Sequence, residues 1–95
     1  MHVISRKALR LFWLKHPDSE EPLSRWFKIM RRTQFINFGS LRRTFPSSDK
    51  VGELVVFNIG GNKYRLIASI HFNRGKVYIR QVLTHGEYVR GGWSR

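Results

Sequence analysis

The chain predicts an α+β fold, on three observations. Its first half places large apolar side chains at helical spacing. The stretch after Glu53 alternates with period two. The 95 residues allow one compact domain and little else, so residues 1–95 read as a single domain around one small core. Apolar residues make up 41% of the chain, with seven Phe, three Tyr and three Trp, which argues against disorder. The absence of Cys excludes disulfides and thiolate metal sites.

The elements follow in order. Met1–Ile4 suits a short edge strand, and Ser5 suits a helix N-cap. Leu9, Phe12 and Trp13 follow at helical spacing with His16 on the same face, and Pro17 ends this helix. Asp18 followed by Glu21 resembles a capping box for a second helix. Glu20 and Glu21 favour the positive end of its dipole, and Arg31 and Arg32 its negative end. Leu23, Trp26, Phe27 and Met30 form its apolar stripe, and the short connection predicts an antiparallel helix pair. Phe35, Phe38, Leu41 and Phe45 suit a short helical turn on the core, with a loop over Pro46-Ser47-Ser48-Asp49. Glu53–Ile59 is rich in β-formers, and Gly60-Gly61-Asn62 is a strong turn signal.

Over Lys63–Phe72, Tyr64, Leu66, Ala68, Ile70 and Phe72 share one strand face, and Lys63, Arg65, Ile67, Ser69 and His71 the other. Asn73-Arg74-Gly75 turns the chain into a third strand over Lys76–Leu83. The sum is a three-stranded antiparallel meander with helices on one face and basic residues on or beside the other.

Charge is the loudest compositional feature. Eighteen Lys and Arg oppose six Asp and Glu, giving +12, and twelve of the eighteen are Arg. Arg grips phosphate through a planar fork and stacks on bases, so the balance points to a polyanion partner, RNA foremost. The N-terminus lacks the apolar core and small-residue cleavage site of a signal peptide, and no apolar run reaches a membrane span. A cytoplasmic protein with no membrane partner is expected.

Metal chemistry is not expected. The His residues at 2, 16, 71 and 85 have no ligand spacing, and the only acids after residue 50 are Glu53 and Glu87. No cofactor is implied: Gly60-Gly61-Asn62-Lys63 lacks the spacing and following helix of a phosphate loop. The set of chemical interest is Lys63, Arg65, His85 and Tyr88. RNA is cut without metal when the ribose 2′-OH loses its proton and attacks the adjacent phosphorus. The pentavalent phosphate then needs cations, and the leaving 5′-oxygen needs a proton. Histidine suits either proton transfer, Arg and Lys suit the phosphate, and Tyr orients, stacks or donates. Lys50, Arg74, Lys76, Arg80 and Arg90 are candidate RNA contacts. Each has a plain alternative. Lys63 reads also as a solvated turn charge, Arg65 as an ion-pair member, His85 as a hydrogen-bonding strand end, and Tyr88 as edge packing. Arg80 reads also as a partner of Glu53 or Glu87.

The run Val56-Phe57-Asn58-Ile59-Gly60-Gly61-Asn62-Lys63-Tyr64-Arg65-Leu66-Ile67 resembles the strand–turn–strand signature of the HigB family of toxins. Val77-Tyr78-Ile79-Arg80, Leu83-Thr84-His85 and Glu87-Tyr88 resemble its closing motif, and Met1–Leu9 and Thr44-Phe45-Pro46-Ser47 also fit. The resemblance implies a RelE/ParE-like fold, two N-terminal helices packed on a small antiparallel sheet. It implies the toxin of a type II toxin–antitoxin pair, acting as an mRNA endonuclease on translated message at the ribosome. The implied partner is a HigA-like helix-turn-helix antitoxin, with operator DNA met only through that complex. On this analogy Arg65 holds the scissile phosphate, His85 is the general acid or base, and Lys63 and Tyr88 flank them. The chain departs from the family at Val89, where Asp commonly follows the Glu-Tyr pair. Two other readings share the fold: a non-enzymatic growth inhibitor that binds ribosomes or RNA, and a ParE-like gyrase inhibitor.

Overall fold

The computed structural model describes residues 1–93. Among these, strand β1 (His2–Ile4) leads into α1 (Arg6–Lys15), a 3-10 turn (Pro17–Ser19) and α2 (Glu20–Arg32). Helix α3 (Phe38–Thr44) follows, then β2 (Asp49–Val51), β3 (Leu54–Ile59), β4 (Tyr64–His71), β5 (Lys76–Thr84) and the short α4 (His85–Arg90). The sheet order is β1-β5-β4-β3-β2.

Strands β3, β4 and β5 form the expected antiparallel meander. Two features go beyond it. Residues Asp49–Val51 extend the sheet as β2, paired antiparallel with β3, where a loop was expected to run through Asp49. The expected edge strand lies parallel to β5, in register His2 with Lys76, and makes the sheet mixed. A parallel neighbour needs a long crossover, and the helices between β1 and the meander supply it.

The helices cover one face. Leu9, Leu23, Met30 and Leu41 are fully buried, and Trp26 nearly so, against Val55, Phe57 and Ile59 of β3, Leu66 and Ala68 of β4, and Val77 of β5. Each such side chain contributes about 1.5–3 kcal/mol by leaving water. Phe57 sits at the centre, edge-on to both Trp26 and Phe45. Phe12, Trp13 and Phe27 are half-buried and pack on this core, as their helical spacing predicts. The N-terminal ammonium donates to the carbonyls of Met30, Arg31 and Thr33, closing the negative end of α2.

The expected capping box at α2 does not form. Ser19 holds the N-cap position without a side-chain bond. Asp18 turns instead to the sheet, where its two oxygens accept from the Tyr64 hydroxyl at 2.5 Å and the Lys63 ammonium at 3.1 Å. Two strong donors outcompete one backbone N–H. The boxes that do form are at α3, between Asn37 and Ser40, and at α4, between Thr84 and Glu87.

The opposite face carries the expected mixture, with Arg65 and Ile67 both on it. Ile67 is fully buried beside Val56 of β3, with the exposed Gln81 of β5 on its other side. Among the described residues no helix is long and apolar enough to cross a membrane.

Candidate functional site

One end of the open face gathers most of the chemically interesting residues. Strand β4 begins there with Tyr64, which is paired with Thr84 at the end of β5. Helix α4 starts directly after Thr84 and folds back across this end. Two bonds of its capping box hold that start: Thr84 N–H donates to Glu87 Oε1 at 2.9 Å, and Glu87 N–H donates to Thr84 Oγ1 at 3.2 Å. The Thr84 backbone N–H, foremost, holds the Glu87 carboxyl below its ordinary range, with Arg90 and His16 adding to the effect. A further bond, His85 N–H to the Lys63 carbonyl at 3.0 Å, ties α4 to the β3–β4 turn.

Arg65 lies under α4. Its cross-strand partners are Asn58 and Leu83, which puts its side chain on the open face. It is nevertheless only 8% exposed. One terminal nitrogen, Nη1, donates to the carbonyls of Asn62 at 3.1 Å and Tyr64 at 3.2 Å. The guanidinium carbon stands 5.2 Å from the centre of the Tyr88 ring, within cation–π range. Two faces of the group are thus fixed by backbone and ring.

Lys63 and His85 are both exposed. The Lys63 ammonium is paired with Asp18, a half-exposed contact screened by solvent. The Tyr64 hydroxyl and the Lys63 ammonium draw the Asp18 carboxyl below its ordinary value, and the same carboxylate pushes the Tyr64 phenol up. His16 completes this flank, stacked on Phe12 at 4.5 Å and tilted against Tyr64 at 5.4 Å. Of the four candidates, Arg65 and Tyr88 are in side-chain contact, His85 joins them through its backbone bond to the Lys63 carbonyl, and the Lys63 ammonium turns instead to Asp18.

The other basic candidates divide. Arg90 ends α4, and Arg80 is exposed at a β-bulge in β5, both on the α4 side of the sheet. Arg80 forms no ion pair with Glu53 or Glu87 among the described residues. Lys76 is paired with His71 at the far end of β4, roughly 23 Å from Tyr64 at strand rise. Arg74 lies in the adjoining turn, Phe72–Arg74. Lys50, on β2, lines a cavity with Glu53 and His71 at that far side. Lys50 stands on edge strand β2, with β3 and β4 between it and Lys76 on β5, so these three do not share one surface with Arg65.

Asp18 and Tyr64 belong to the site flank, although the sequence suggested a cap for one and plain core for the other. Their link spans 46 positions, so no local pattern carried it. Trp93 follows Gly91 and Gly92, outside any periodic stretch of the sequence. Its ring stacks on Tyr88 with centroids 5.1 Å apart.

The family model described as the RelE-like toxic component of a toxin–antitoxin system, HigB_toxin, matches residues 19–90. The mRNA interferase toxin HigB of Escherichia coli K12 is 38% identical over 91 residues, which is 93% of this chain and 88% of that protein. The mRNA interferase HigB of Shigella flexneri shows the same identity and coverage. The mRNA interferase HigB of Escherichia coli O6:H1 is 28% identical over the same shares.

Proposed function

The chain belongs to the HigB family, the RelE-like toxic component of a toxin–antitoxin system, and from that premise we propose that it is an mRNA endonuclease working at the end of the sheet closed by α4. The observation that supports this reading is the contact of the Arg65 guanidinium with Tyr88 of α4, with His85 at the start of the same helix, tied by its backbone to the β3–β4 turn.

The roles follow from the chemistry of RNA. The free edge of the Arg65 guanidinium holds the non-bridging oxygens of the scissile phosphate. Because Nη1 is spent on two carbonyls, the group is set before substrate arrives and needs little reorganisation as charge builds on phosphorus. The ribose 2′-oxygen loses its proton and bonds to phosphorus, and the bond to the 5′-oxygen breaks. The products are a 2′,3′-cyclic phosphate and a 5′-hydroxyl end. His85 moves one of the two protons. Tyr88 keeps the guanidinium in plane and shields it from water. Lys63 adds a cation at the rim and shares its charge with Asp18.

The protein acts in the cytoplasm on message being translated at the ribosome, where its net charge of +12 favours docking on ribosomal RNA. Its antitoxin is a HigA-like helix-turn-helix protein, and operator DNA is met only through their complex. Lys50, Arg74 and Lys76, away from α4, serve docking and not cleavage.

Induced expression tests the reading. Wild type arrests growth and cuts transcripts, read by primer extension on a reporter message. His85→Ala lowers cleavage roughly 10²–10⁴-fold, the range for a lost proton-transfer group. Arg65→Ala relieves both effects as well. Growth arrest with intact message identifies an RNA-binding inhibitor instead, and double-strand DNA breaks with intact message identify gyrase as the target.

A further inference from the structure

We propose that the shallow cavity walled by Trp93 is a nucleobase pocket, which takes the base of a nucleotide next to the phosphate held by Arg65. This rests on the reading of RNA as substrate and adds a residue and a recognition element to it. The cavity, about 330 Å³, is lined by Gln81 and Leu83 of β5, by Glu87 and Arg90 of α4, and by Gly91, Gly92 and Trp93. It lies at the small end of ligand sites, which suits one base and not a length of backbone.

Four observations point to a base. First, the Trp93 ring is held in place. Gly91 and Gly92 take positive φ of 80° and 86°, which lets the chain double back after α4. The Trp93 indole N–H then donates to the Tyr88 carbonyl at 3.1 Å, and the two rings stack at 19°. Second, the same Tyr88 ring meets Arg65, whose guanidinium carbon stands 5.2 Å from its centre. Arg65 and Trp93 thus share Tyr88 as a common neighbour, which brings a base on Trp93 close to the phosphate ligand. Leu83, the cross-strand partner of Arg65, is shared by the cavity wall.

Third, the lining matches a base and not a phosphate. Glu87 places a fixed negative charge on the wall, held ionised by the bond from the Thr84 N–H. It repels an anion and leaves Arg90, one turn away, to meet the phosphate at the rim. Fourth, Gln81 presents an amide, able to donate and accept at once, which reads a base edge. Its position is set by the bulge that makes Arg80 the unpaired residue of β5. Trp93 thus supplies affinity by stacking, and Gln81 supplies preference among bases.

The test uses the full chain and a fluorescein-labelled trinucleotide with 2′-O-methyl riboses, which cannot be cleaved. Stacking on one base is worth roughly 1–3 kcal/mol by alanine substitution, so Trp93→Ala raises Kd about tenfold. Trp93→Phe, which keeps a ring, stays within about threefold. An abasic residue at one position removes the difference between wild type and Trp93→Ala, and Gln81→Ala levels the preference among the four bases. Equal Kd for Trp93→Ala and wild type overturns the proposal. So does an undiminished Trp93→Ala loss with all three abasic ligands, or no saturable binding by wild type at millimolar trinucleotide. Cleavage is scored separately. If Arg65→Ala still cuts RNA while the base-dependent Trp93 effect persists, the pocket stands and the phosphate role of Arg65 falls. If Arg65→Ala abolishes cutting with no Trp93 effect, the pocket alone falls.

Discussion

Replacing Arg65 with lysine separates a phosphate ligand from a scaffold. The substitution keeps the charge, so long-range attraction to RNA is unchanged, but it removes the planar fork. Arg65 donates from Nη1 to two carbonyls at 3.1 and 3.2 Å and is 8% exposed, so these bonds are little diluted by solvent. A lysine ammonium reaches one carbonyl at most while facing the Tyr88 ring. Losing one bond from a charged donor, with part of the ring contact, costs about 2 kcal/mol. For a domain of this size that lowers Tm by roughly 8–16 °C. The chemical effect is larger. A preorganised donor to transition-state charge is worth about 10²–10³ in rate. The assay pairs a thermal melt with cleavage of a fluorescent RNA, both run well below the lowered Tm. The expected result is a folded Arg65→Lys protein that cuts at least about 100-fold more slowly. A variant that melts earlier as worked but cuts within about threefold of wild type refutes the phosphate role. It would leave Arg65 as the clamp between the β3–β4 turn and α4.

Two further outcomes concern stability. Asp18 is held below its ordinary value of 3.8 by Tyr64 and Lys63, so its contribution is present above that value and lost as pH falls through the lowered one. Tyr64 is raised above its ordinary 10.0, so its contribution is present below that value and lost as pH rises through the raised one. The stability gap between wild type and Asp18→Ala, from urea unfolding, is therefore full across about pH 5–9 and closes on both sides. A gap unchanged from about pH 7 down to pH 2 contradicts the contact. At the helix caps, Thr84→Ala removes the acceptor of a formed capping box and costs about 0.5–2 kcal/mol, with cleavage falling alongside as α4 loosens. Ser5→Ala removes no side-chain cap bond and leaves Tm within about 2 °C. Equal losses in the two variants would show that α4 is not held by its box.

The sequence by itself determined the helices of the first half, the antiparallel meander and the inward set Tyr64, Leu66 and Ala68. These depend on hydrophobic spacing and turn chemistry, which act over a few residues and repeat. The motifs around Arg65 and His85 also carried the family, since short runs of residue types hold family identity. Tertiary structure alone decided the rest. Asp18 read locally as a cap, but a strand 46 positions away offered it better donors. His85 read as a strand end and opens α4, because Thr84 and Glu87 close a box only once β5 has ended there. The basic candidates looked like one face, yet strand rise separates Lys76 from Arg65 along the length of β4. The polyanion partner was legible because net charge is a sum over the chain. Which cations stand near Tyr88 and α4 was not, because that depends on distances set by pairings remote in sequence.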